Sequence, residues 1–235
     1  MTSKEILSDL KALENPGIKK IFLKHGAKEP FYGVKVEQLK EFQKKIKTNT
    51  ALAIELYDSG VSDAMYLAGL IANGAEMNKK QLQQWAEKAP WYMISEYTVP
   101  WVAAESKFAT ELALQWIDNK TEFIASTGWA TLSSYVAVTP DENLDIKLLK
   151  TLLKRVADQI HKAPNRVCYT MNGFLIAVGS YVAALSEEAI KTAEKIGPVT
   201  VDMGGTACKV PLAKDYINKV KQKGTIGKKR KTTKC

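Results

Sequence analysis

The sequence predicts an all-α fold in which short helix pairs stack into an α-α superhelix. Two observations support this prediction. Apolar residues recur at helical spacing, and turn-forming residues divide the chain at roughly 30 to 45 residues per helix pair. Helices this short are marginally stable alone in water, so each must bury its apolar face on its neighbours. A solenoid of helix pairs meets that requirement.

Turn signals follow one another along the chain and mark the predicted helix ends. Each contains Pro or Gly, which are unfavourable inside a helix. They are Asn15-Pro16-Gly17, Glu29-Pro30, Ser59-Gly60, Asn73-Gly74, Ala89-Pro90, Thr139-Pro140 and Ala163-Pro164. The apolar faces between them are clearest in residues 61–71 and 144–160, which are predicted to form buried-face helices.

One segment, at about residues 197–211, breaks the helical pattern. Apolar and polar residues alternate before Gly204-Gly205 and again after it, which predicts a β-hairpin insertion near the C-terminus. An isolated hairpin is marginal in water, so it would either pack on the helices or project toward a ligand. The alternation leaves both roles open.

The positive charge is concentrated at the C-terminus. The net charge is +9, and residues 219–235 contain eight Lys or Arg and no acidic residue, which leaves a body of nearly neutral charge. We therefore predict a helical repeat domain over residues 1–222 and a flexible basic tail over residues 223–235. Such a tail can attract a polyanion, and nucleic acid is the first candidate and an anionic membrane surface the second. Alternatively, it is only a solvated end.

Composition and motifs exclude several classes of protein. The 46% hydrophobic and 25% charged content is that of a globular chain, and no run approaches the ~18 apolar residues of a membrane span. Cys168, Cys208 and Cys235 are too widely spaced for a zinc knuckle or a disulfide framework. Phosphate-loop, dinucleotide, serine hydrolase and zinc-protease motifs are absent. We expect a cytoplasmic protein without metal or cofactor.

A dense aromatic region at residues 85–101 carries the candidate site. Trp85 and Trp101 fit core positions, whereas Trp91 and Tyr92 follow a Pro at a helix start, where side chains often border a cleft. Glu96 follows about one turn later, so its carboxylate can share their face. Aromatic rings beside a carboxylate can recognise a cationic, planar group such as an alkylated base.

The order of several motifs resembles that of the AlkD superfamily of DNA-repair proteins over about residues 18–179. The motifs are Phe31-Tyr32-Gly33-Val34, residues 91–101 with Val99-Pro100, Trp116-Ile117 and Asn172-Gly173-Phe174. The resemblance implies a right-handed solenoid of HEAT-like repeats whose concave, basic face holds duplex DNA. The type member is an alkylpurine DNA glycosylase.

The resemblance also implies a DNA cleft, with one departure. The glycosylase's Trp-Trp element falls on Trp91 and Tyr92, its acidic residue on Glu96, and a third aromatic on Phe174. Its cleft arginine falls on Ser126, which removes a cation that anchors a phosphate. Related members, AlkF and AlkG, also lack the glycosylase site and are associated with branched DNA. The expected contacts to the DNA backbone are Arg166, Lys228, Lys229, Arg230 and Lys231.

Three functions therefore remain open. The first, which we favour, is binding of duplex or branched DNA without base excision, by a nucleoid-associated monomer of the AlkF/AlkG type. The second is excision of N3- or N7-alkylpurines, with Glu96 supporting an oxocarbenium-like sugar. The third is a protein-binding scaffold, since many solenoids act in this way.

Overall fold

The computed structural model describes residues 1–234, and Cys235 lies outside the described residues. The described chain contains thirteen α-helices joined by turns and short helical segments. In chain order the helices are α1 (Ser3–Ala12), α2 (Pro16–Lys24), α3 (Val36–Ile46), α4 (Thr50–Asp58), α5 (Ser62–Ile71), α6 (Lys79–Lys88), α7 (Val99–Ala104), α8 (Ala109–Trp116), α9 (Glu122–Val138), α10 (Ile146–Gln159), α11 (Asn165–Tyr181), α12 (Ser186–Ile196) and α13 (Ala213–Gln222).

Short polar residues fix several helix starts. Asn15, Asn49 and Asn78 each accept a hydrogen bond from the backbone N–H three residues later, at 2.9 to 3.1 Å. This bond satisfies one of the donors left unpaired in the first turn. Pro16 then occupies the first position of α2, where its missing N–H costs nothing. The predicted turn signal Asn15-Pro16-Gly17 therefore marks the start of α2 correctly, whereas Asn49 and Asn78 were not among the predicted turn signals.

The helices pack in a continuous array of neighbours. The most extensive contact joins α9 and α11, and α8 with α9 and α4 with α5 form the next closest pairs. Two hydrophobic clusters follow from this order, one built from residues 6–124 and the other from residues 113–217. Trp85 and Trp101 are both buried, as predicted. The all-α part of the fold prediction is confirmed.

The predicted β-hairpin is wrong, because residues 1–234 contain no β-strand. The segment 197–211 forms an irregular connection between α12 and α13, here called the α12–α13 loop. Its alternation buries Val199 and Val201 in the core. Its backbone bonds side chains of α11: Asn165 pairs with both backbone groups of Asp202, at 2.7 and 2.9 Å, and Asn172 donates to Pro211 O. These bonds replace the cross-strand bonds of a hairpin.

Residues 223–234, here called the C-terminal tail, lie against the helical body. Gly227 N–H donates to Ser180 O in α11, and the buried Thr233 hydroxyl lies 3.0 Å from Trp101 O in α7. These contacts give the tail one defined path across the helices. The flexibility expected from its composition stays a prediction, as do the boundaries of the two regions.

Within residues 1–234, no single helix has both the length and the apolar character of a membrane span. The bent pair Asn165–Tyr181 and Ala183–Ile196, which turns by 114°, meets that test only when both helices are taken together.

Candidate functional site

A buried ion pair between Glu96 and Arg166 forms the centre of the candidate site. Arg166 Nε donates to Glu96 Oε1 at 2.7 Å, and Nη2 donates to Oε2 at 2.5 Å. The side chains are only 2% exposed for Glu96 and 10% for Arg166. Two parallel charge-assisted bonds of this kind fix both the position and the orientation of the carboxylate.

The backbone before α7 explains how Glu96 reaches this position. Residues Ile94–Thr98 form a π-helical turn, in which Val99 N–H donates to Ile94 O, five residues back. Pro100 follows and has no N–H, so the carbonyl of Glu96 receives no helical bond from it. Such wide turns inside helices are often found at functional sites.

Two tyrosine rings enclose the guanidinium of Arg166. Its Cζ lies 4.3 Å from the ring centroid of Tyr92 and 4.4 Å from that of Tyr169. Tyr169 follows Arg166 by three residues in α11, so both side chains share one helix face. The hydroxyl of Tyr92 is hydrogen-bonded to His25 Nδ1 at 2.8 Å. The cation is therefore held by a carboxylate on its edge and by aromatic faces on either side.

Burial sets the electrostatics of the pair. It raises the pKa of the Glu96 carboxyl from 4.5 to about 7, although the hydrogen bonds and charge of Arg166 act in the opposite direction. Burial also raises the pKa of Tyr92 to about 12, so this phenol stays protonated near neutral pH. Glu96 is therefore buried and paired with a cation, and Tyr92 is uncharged, so neither is a free anion at the surface.

Two open pockets lie on either side of the ion pair. The first, here called the His25 pocket, has a volume of about 310 Å³ and is lined by Lys24, His25, Tyr92, Arg166 and Met203, among others. The second, here called the Arg230 pocket, has a volume of about 270 Å³ and is lined by Glu96, Tyr97, Ser133, Tyr169 and Arg230, among others. Arg166 lines the first opening and Glu96 the second, so the pair lies between them.

The structure brings some of the predicted site residues together and separates others. Trp91, Tyr92, Glu96 and Arg166 meet, although Trp91 is buried, with its ring 5.3 Å from that of Phe22. Ser126 is wholly buried, and its hydroxyl donates to Phe123 O.

Phe174 is also wholly buried, with its ring 5.2 Å from that of Trp129. Neither Ser126 nor Phe174 lines the His25 pocket or the Arg230 pocket. Their role in a DNA cleft stays a prediction.

Sequence reasoning missed the partner of Glu96. Arg166 was expected to contact the DNA backbone, but it lies 70 residues from Glu96 and forms the ion pair. Tyr169 and His25 were not singled out. The available signal was Arg166 itself, a charged residue one turn before Tyr169 in a mostly apolar segment. Nothing local in the sequence joins it to Glu96.

Among the described residues, no group of three or more His, Cys, Asp or Glu side chains could hold a metal ion.

Comparison with known proteins gives matches over most of the chain. The model of a family described as "DNA alkylation repair enzyme" matches residues 6–201. Uncharacterized proteins of Listeria innocua and Listeria monocytogenes are each 32% identical to the chain over 229 residues, which are 95% of this chain and 99% of each relative.

A solved structure resembles the whole chain. It is described as a new family of proteins related to the HEAT-like repeat DNA glycosylases with affinity for branched DNA structures. The two chains are 34% identical, the TM-score is 0.90, and the match covers 100% of each. The similarity therefore includes the helices that carry Glu96 and Arg166.

Proposed function

The chain belongs to the DNA alkylation repair enzyme family, and we propose that it binds branched DNA without excising a base. The solved structure that matches it over its full length is described as having affinity for branched DNA structures. We also propose that the chain is of the AlkF/AlkG type, because the sequence resemblance aligns Ser126 with the cleft arginine of the glycosylases and the helix that carries Ser126, α9, contains no Lys or Arg.

One observation carries the non-catalytic part of this proposal: both oxygens of Glu96 are bonded by Arg166. A carboxylate that supports an oxocarbenium-like sugar must face the reacting carbon with its negative charge available. In this arrangement the charge is already neutralised by a cation, and the side chain is 2% exposed. The pair is therefore suited to shaping the pockets rather than to stabilising a transition state.

Exposed cations around the openings support DNA binding. Lys24 lines the His25 pocket, Arg230 lines the Arg230 pocket, and Lys120 and Lys162 line a third opening of about 250 Å³. Within residues 1–234, none of these four forms an ion pair with a carboxylate. Cations without a carboxylate partner are available to phosphates.

The catalytic part is tested by assaying base release and DNA binding with the same protein preparation. We expect no release of 7-methylguanine from alkylated duplex by the unmodified protein or by Glu96→Gln, and binding of a four-way junction by the unmodified protein. An alkylpurine glycosylase serves as the positive control. Release that is robust in the unmodified protein and lost in Glu96→Gln would show that the paired carboxylate is catalytic and would overturn the proposal.

A further inference from the structure

The C-terminal tail crosses the ends of four helices, in the order α11, α9, α7 and α5. Gly227 N–H donates to Ser180 O of α11 at 2.9 Å, and Arg230 N–H donates to Ala137 O of α9 at 2.7 Å. Thr233 then reaches Trp101 O of α7, and Lys234 Nζ donates to Ala72 O, directly after α5. The last carbonyls of a helix have no partner within it, so the tail supplies donors where donors are needed.

Charge and burial add to this docking. Lys229 Nζ donates to Val136 O and Tyr181 O, at 3.0 and 2.7 Å, and lies 2.7 Å from Asp141 Oδ1. A cation at the C-terminal ends of helices is favoured by the helix dipole. The Thr233 hydroxyl is buried and also lies 2.8 Å from Glu105 Oε1. The tail is thus anchored on both sides of Arg230.

This anchoring places Arg230 at the candidate site. Its backbone is fixed by the bond to Ala137 O, and the residue lines the Arg230 pocket together with Glu96, Ser133 and Tyr169. The residue is exposed, and among residues 1–234 its guanidinium makes one hydrogen bond, from Nη2 to Lys234 O at 3.2 Å. Its other donors form no hydrogen bond within these residues, so they are available to a ligand in the pocket.

We infer that the docked tail delivers Arg230 as a phosphodiester-binding residue at the Arg230 pocket. The inference rests on the proposed function and specifies it further. The helix that carries Ser126, α9, contains no Lys or Arg. Arg166 is paired with Glu96, so its charge is not available to a phosphate. The planar guanidinium of Arg230 is suited to bidentate contact with a phosphate. Such a phosphate would lie beside Tyr169, which also lines the Arg230 pocket. The tail then acts as part of the binding surface, and a loose electrostatic arm would not position Arg230 in this way.

Arg230→Gln and Lys231→Gln form a matched pair that tests the inference. Each removes one positive charge from neighbouring exposed positions, but only Arg230 lines the pocket. For binding to a fluorescent four-way junction, we expect Arg230→Gln to weaken affinity about tenfold, and to reduce the slope of log affinity against log salt by about one. Lys231→Gln should weaken binding less than about twofold. Equal effects of the two variants would overturn the inference.

A second variant separates docking from charge. Thr233→Val with Glu105→Gln removes the anchor at α7 and makes the protein one charge more positive. Faster trypsin cleavage after Lys228, Arg230 and Lys231 would show that the tail is released. We expect this variant to bind the junction as weakly as Arg230→Gln, despite its greater positive charge.

Unchanged or tighter binding by a variant with a released tail would overturn the inference. Failure of the unmodified protein to bind any DNA would instead overturn the proposed function, and the inference with it. If the tail stays docked in the variant with Thr233→Val and Glu105→Gln, the comparison of Arg230→Gln with Lys231→Gln still tests whether Arg230 binds the DNA.

Discussion

The Glu96–Arg166 pair determines what the candidate site can do. A buried ion pair has a large desolvation cost, and two good hydrogen bonds offset part of it. The geometry is therefore more informative about specificity than about stability. Glu96 holds Arg166 between Tyr92 and Tyr169, and this cluster forms the wall between the two pockets.

Removing Arg166 should extend the pH dependence of stability to pH values above about 7. In Arg166→Met, Glu96 stays buried without its cation, so its pKa rises further above the value of about 7 that burial gives it with Arg166 present. Its unfolded value is 4.5. A carboxyl whose pKa is raised by folding stabilises the fold fully below its unfolded pKa, and this contribution is lost as pH rises through the folded pKa.

We therefore expect the stability of Arg166→Met relative to the unmodified protein to stay nearly constant from pH 4.5 to about pH 7 and to fall by up to about 1.4 kcal/mol between pH 7 and pH 8, because each unit by which the Glu96 pKa rises is worth about that much. Urea unfolding at a series of pH values measures this. Arg155→Met is the matched control, because Arg155 pairs with the exposed Asp118 and should cost only about 1 kcal/mol. A deficit in Arg166→Met that does not change with pH would contradict the account of this pair.

At the same scale, the sequence identified individual residues better than their partners. Tyr92 and Glu96 are one turn apart, and their proximity follows from helical spacing alone. The pairing of Glu96 with Arg166 depends on how α11 packs beside the π turn, which no local pattern encodes. Ser126 and Phe174 were assigned to the cleft by resemblance to a repetitive fold. In such a fold a helix can be matched correctly while a residue on it faces the core, and both residues are buried.

At the scale of elements, the α12–α13 loop shows how a correct pattern led to a wrong structure. Its alternation is real, and Val199 and Val201 are buried, as alternate residues of a strand on a core would be. A strand also needs a partner for its backbone, and here the side chains of Asn165 and Asn172 supply the hydrogen bonds. Alternation reports which side chains are buried and does not report what the backbone is bonded to.

The loop should therefore contribute to stability through its valines. Val199→Ala with Val201→Ala removes buried methyl groups, and we expect a loss of about 2 to 4 kcal/mol in chemical unfolding, with little change in helical content. The exposed Lys209→Ala in the same loop is the control and should change stability by less than about 0.5 kcal/mol. Equal stability of all three proteins would mean that the loop projects from the body rather than packs on it.

At the scale of the whole molecule, the tail connects parts that are far apart in sequence. It runs from the end of α13 across α11, α9 and α7 to α5, so it bridges the two hydrophobic clusters. Composition identified its charge but not its path, because the bonds that hold it are made by helix-end carbonyls distributed along the chain. The all-α array was predictable, since it depends on helix length and apolar spacing, which are local properties.

The measurement that tests the central claim most directly compares binding of the unmodified protein to branched and to linear DNA. The branched DNA is a four-way junction, the linear DNA consists of duplexes with the sequences of its arms, and the salt concentration is the same for both. We expect the junction to bind at least about tenfold more tightly, a difference of about 1.4 kcal/mol. Equal affinity for junction and duplex, or no binding to either, would contradict the claim.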